Sequence, residues 1–89
     1  MNEIRKATEI AARFYQSRQT AQRLFGDGYT EKVRPYCEWL EADMSYHGRT
    51  SVESCHDGVK RLSEKFANGT LGEAAMLLMA AAVELEEGW

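Results

Sequence analysis

The sequence predicts an all-α protein, a compact bundle of four short helices. Three observations carry this. Apolar residues recur at helical spacing in four stretches, glycines fall mostly between those stretches with a single proline in the chain, and two Thr-x-x-Glu boxes mark helix starts. Eighty-nine residues make one domain, 1–89. A chain of this length buries only about 60–65% of the surface that its unfolded form exposes, so the core is modest and a deep cleft is not expected.

The first helix is expected over about Asn2 to Phe25. Ile4, Ala7, Ala11, Phe14, Ala21 and Phe25 advance in steps of three and four or their sums, and Ile10 and Leu24 widen the stripe. Gly26-Asp27-Gly28 should end it, since glycine takes the left-handed backbone that a helix C-terminus needs. The second helix takes Thr30 as N-cap, with Val33, Tyr36, Cys37, Leu40, Met44 and His47 at helical spacing. Pro35 sits late for a first-turn proline, which predicts a kink there or a true start near Arg34. Gly48 stops the helix.

The third helix opens on the capping box Thr50-Ser51-Val52-Glu53 and buries Val52, Cys55, Val59, Leu62 and Phe66. Gly58 inside it costs roughly 1 kcal/mol relative to alanine and marks a close helix crossing. The fourth helix repeats the box as Thr70-Leu71-Gly72-Glu73. Its body, Ala74 to Val83, has ten apolar residues in a row, the most apolar segment of the chain. Glu84, Glu86 and Glu87 then lie at the negative end of its dipole, which is mildly unfavourable.

Composition narrows the function. A membrane span needs roughly twenty apolar residues, twice the longest run here, and the opening Met1-Asn2-Glu3-Ile4-Arg5-Lys6 lacks the apolar run of a signal peptide. Two cysteines are too few for a secreted disulfide framework, so a cytoplasmic protein is expected. No phosphate loop, EF-hand or HExxH motif is present, and no cofactor, metal or catalytic set is expected. Cys37, His47, Cys55 and His56 lack the paired spacing of zinc ligands. A Cys55–His47–Asp57 nucleophile would need oxyanion donors that nothing here supplies. Both cysteines read as small core residues.

A non-catalytic protein-binding module remains, docking on a larger protein or complex or assembling with itself. A helix that is apolar all round must be covered on all sides: either it is the central helix wrapped by the other three, or part of it stays exposed and a second copy or a partner covers Met76, Met79, Ala80 and Val83. In the second case a homodimer or higher oligomer follows. Tyr36, Trp39 and Tyr46, edged by Asp43, form an aromatic stripe beside the core line of the second helix with the composition of an interface hot spot. Packing on Phe14 and Tyr15 is the plainer reading of those rings. Arg18 falls within the apolar arc of the first helix, where it must find a carboxylate, reach water or meet an acidic partner. An inhibitor of a host complex, of the kind phages use against bacterial defence, is one occupation for a helical protein of this size.

Charge suggests the alternative. Residues 1–25 carry five bases against two acids, while the whole chain is −3. Arg5, Lys6, Arg13 and Arg23 lie on the outer face of the first helix, so a nucleic-acid-associated regulator is the runner-up, although a solvated surface explains that face more simply. A small-ligand or nucleotide pocket near Tyr29, Arg34 and Trp39 is the third reading.

Overall fold

A computed structural model describes the backbone of residues 2–65 and 71–89 and the side chains of 12–62 and 72–89. Among the described residues all regular structure is helical: α1 (Asn2–Phe25), α2 (Tyr29–His47), α3 (Ser51–Lys65) and α4 (Leu71–Glu86), with a 3₁₀ turn at Gly26–Gly28. The Cα radius of gyration is 12.6 Å, close to the ~12 Å of a compact domain of this length.

The first junction departs from expectation. Gly26 is left-handed (φ +54°), yet Gly28 is not (φ −83°), and the Tyr29 N–H donates to the Gly26 carbonyl. The chain therefore passes from α1 to α2 through one 3₁₀ turn with a single left-handed residue, Gly26, and the described helical residues fall in three stretches, 2–47, 51–65 and 71–86. Thr30 consequently lies inside α2 and is not its N-cap. Tyr29, absent from the expected apolar line, is buried at the junction. Nor does Pro35 start or break α2. It removes one N–H, whose partner would be the Glu31 carbonyl, in an exposed first stretch of helix where water can take that bond.

The remaining boundaries follow their chemistry. Gly48 takes the left-handed cap (φ 64°) and donates its N–H to the Met44 carbonyl, which also accepts from Arg49 N–H at 3.1 Å. At α3 the capping box forms reciprocally: Thr50 N–H donates to Glu53 Oε1 at 3.0 Å, and Glu53 N–H donates to Thr50 Oγ1 at 3.2 Å. Thr70 of the second box, Phe66, and the side chains of Ile4, Ala7, Ile10 and Ala11 lie outside the described residues.

α4 is the axis of the fold. It packs on α1, α2 and α3, and each of those contacts is larger than any the other three make with one another. Leu77, Leu78, Ala80, Ala81, Ala82 and Val83 are buried within this single chain. The physical reason lies in size. Alanine lets a neighbouring backbone come close, so three helices surround a narrow α4 where they could not surround a stack of leucines. Phe14 and Ala21 of α1, Val33, Cys37 and Leu40 of α2, and Cys55 of α3 complete the core. Leu24, expected to widen the α1 stripe, points outward and is 64% exposed.

This arrangement takes two residues out of the expected self-association face. Ala80 and Val83 are fully buried in the lone chain, so neither can offer a contact face to a second copy, while Met76 and Met79 are half-buried. No helix among the described residues is long and apolar enough to cross a membrane.

Candidate functional site

Trp39 is 39% exposed, yet its ring is seated against a neighbouring helix. It does not pack on Phe14 or Tyr15. Its six-membered ring lies over Gly58 of α3, where an added Cβ would meet Cζ3 at 2.9 Å, Cη2 at 3.2 Å and Leu78 Cδ1 at 3.3 Å. Gly58 thus does mark a close crossing, and what crosses there is an indole. A groove of about 330 Å³ opens beside it, with Pro35 and Tyr36 on the α2 side, Arg61 and Leu62 on the α3 side, and Leu78 of α4 beneath.

An ion-pair chain holds the two walls together. Asp57 Oδ2 pairs with Arg61 Nε at 2.8 Å and with Arg49 Nη1 at 3.4 Å, and Arg49 also stands 3.9 Å from Asp43. His47 Nε2 lies 3.6 Å from Asp43. The α2–α3 turn is thereby clamped, and the Arg61 guanidinium is oriented along the groove's rim while its side chain stays mostly exposed. Asp43 is accordingly buried beside Arg49 and His47 of its own chain and does not edge an interface, contrary to the sequence reading. Tyr46 is 85% exposed, makes an edge contact with the His47 ring at 4.8 Å, and does not line the groove.

Arg18 finds carboxylates rather than a partner. Its Nη1 donates to Glu84 Oε1 at 3.1 Å and to Glu87 Oε1, and its guanidinium lies 5.1 Å from the Tyr15 ring centre. The Arg18 hydrogen bond, with that of Tyr15, holds the Glu87 carboxyl below its ordinary range, and the Arg18 guanidinium is held more firmly protonated in return. This clasp offsets the unfavourable acidic end of α4 and takes Arg18 out of the candidate interface. Arg13 and Arg23 are exposed; Arg5 and Lys6 lie outside the described side chains.

The chemistry-bearing residues stay apart. Cys37 is buried against the Ala81 carbonyl (Sγ to O, 4.0 Å), Cys55 is buried in α3, His56 faces the Phe14 ring, and His47 faces Asp43. Burial pushes both thiols up to about 12, far from the thiolate that nucleophilic or metal chemistry needs. Both thus sit in the core, as the sequence suggests. Among the described residues no group of three His, Cys, Asp or Glu side chains could hold a metal ion. Tyr29, Arg34 and Trp39 are not brought together either: Tyr29 is buried, its hydroxyl pushed up by desolvation, Arg34 is exposed, and neither lines the groove.

The groove itself escaped the sequence reading, although its two parts, an aromatic beside the core line and a glycine inside α3, were both visible. What joins them is the α2–α3 register, which no local pattern specifies. Comparison of the chain with protein-family models, curated proteins and solved structures finds no match.

Proposed function

We propose that this protein is a non-catalytic protein-binding module that docks on a larger partner through the α2–α3 groove around Trp39. The observation that carries the reading is the seating of Trp39: its ring lies against Gly58 of α3, and 39% of the residue is presented to solvent between apolar walls. A tryptophan held rigid before binding loses little entropy on contact, and such residues dominate interface energetics. Arg61, already oriented by Asp57, supplies a polar rim.

The reading takes the chain as a compact bundle of four helices, its first two fused end to end. Two free buried cysteines suit the reducing cytoplasm. Inhibition of a larger complex, of the kind phages direct at bacterial defence, is the special case in which the docked chain covers its partner's own working site. α4 contributes only Leu78, at the base of the groove, because most of its apolar body is used up inside the chain.

The test compares capture of the same partner from native-host lysate by three forms. Trp39→Ala should lower capture by at least about tenfold, as loss of an interface hot spot does, while retaining a cooperative melt. Arg61→Glu, on the exposed rim, should weaken capture without touching the core. Unchanged capture by both variants would end the proposal.

A further inference from the structure

A second opening lies on the other side of α3. α1 and α3 each pack on α4 far more than on one another, and the seam between them holds a cavity of about 510 Å³. Its walls are apolar: Phe14 of α1, Val59 of α3 and Met79 of α4. Its charged residues, Arg13 and Lys60, are both bases. Arg13 and His56, both exposed, stand at the mouth together with Lys60, and no carboxylate is among the described residues that line it. In a chain with fourteen acids against eleven bases, that segregation is notable.

A cavity of several hundred Å³ with apolar walls and a few charged groups at one end has the form of a small-molecule site. We propose that this seam binds an amphipathic monoanion, a carboxylate carried on an unbranched hydrocarbon chain. The guanidinium of Arg13 offers a planar fork that matches a carboxylate. The His56 ring is set at the rim by its tilted contact with Phe14, 6.2 Å between centroids. Met79, unbranched and polarizable, adapts to a flexible chain, and its sulfur accepts from the Ser17 hydroxyl of α1 at 3.6 Å. The site lies apart from the Trp39 groove and stands or falls independently of it.

The probes are hexanoate, octanoate and decanoate below their micelle-forming concentrations, with decyltrimethylammonium and acetate as controls. Binding is read from the methyl resonances of Met79 and Val59. Saturable shifts are expected for decanoate, with affinity rising about fourfold per methylene and none for acetate. Arg13→Glu should weaken decanoate by about tenfold, whereas Arg23→Glu, exposed on the same helix but outside the seam, should not. Val59→Trp, which fills the cavity, should abolish the shifts. The proposal is overturned if decanoate gives no saturable shift, if decyltrimethylammonium binds as tightly, or if Arg13→Glu leaves the affinity unchanged.

Discussion

α4 and the Trp39 face of α2 make an instructive pair. α4 is the most apolar stretch of the chain and ends up almost wholly enclosed, whereas α2 carries charges along its length and leaves a tryptophan partly in water. Apolar content therefore does not locate the exposed surface here; side-chain volume does. Alanines let three helices close around α4, and the indole of Trp39 is too large for the crossing it occupies, so it is seated only as far as Gly58 allows.

Substitutions can break that contrast. The largest effect is expected from Ala81→Glu. Ala81 has no exposed surface, and an unpaired buried carboxylate costs several kcal/mol, comparable with the whole stability of a domain of this size. Loss of the cooperative thermal transition by circular dichroism is the expected result. A folded variant that merely loses a binding partner would put α4 at an interface after all. Trp39→Ala should cost roughly 2 kcal/mol, about half the loss at a fully buried tryptophan, and leave a well-defined melt.

Gly58→Ala is subtler. Helix propensity favours it by up to ~1 kcal/mol, while the new Cβ displaces the indole ring, so stability should change little and Trp39 should move outward. In a Trp89→Phe background its fluorescence should shift to the red; an unshifted spectrum would mean that Gly58 does not seat the ring.

The pH dependence should be smaller still. Hydrogen bonds from Thr50 to Glu53, and from Arg18 to Glu87, hold both carboxyls below their ordinary value of 4.5. A depressed folded value means that their contribution is complete above about that pH and is lost as pH falls through the folded value. Glu53→Gln and Glu87→Gln should each flatten the acid limb of a stability–pH curve while leaving the region above pH 5 parallel to wild type. A limb unchanged in both would remove the capping box and the Arg18 clasp as sources of acid sensitivity.

Much of the fold was legible because its punctuation is local. Gly48 and the Thr50–Glu53 box set their boundaries through residues within one turn of each other, and Phe14, Ala21, Val33, Cys37, Leu40 and Cys55 are buried where periodicity puts them. What was not legible depends on residues far apart in sequence. Arg18 and Glu84 meet across 66 positions, and α4's enclosure depends on three helices at once. The first junction misled for a different reason: glycines that end one helix can also begin the next, and only Gly26 takes the left-handed backbone that breaks a helix. Of the residues expected to bind a partner, Tyr36 and Trp39 line the groove, while Asp43 and Arg18 are held within the chain.

Amide hydrogen exchange over Leu77–Val83, measured at several protein concentrations, tests the enclosure of α4 most directly. If a single chain encloses the helix, these amides exchange only through global unfolding, at rates that do not change on dilution. Protection that falls as the protein is diluted would mean that a second molecule shields α4, and the assignment of binding to the Trp39 groove would lose its foundation.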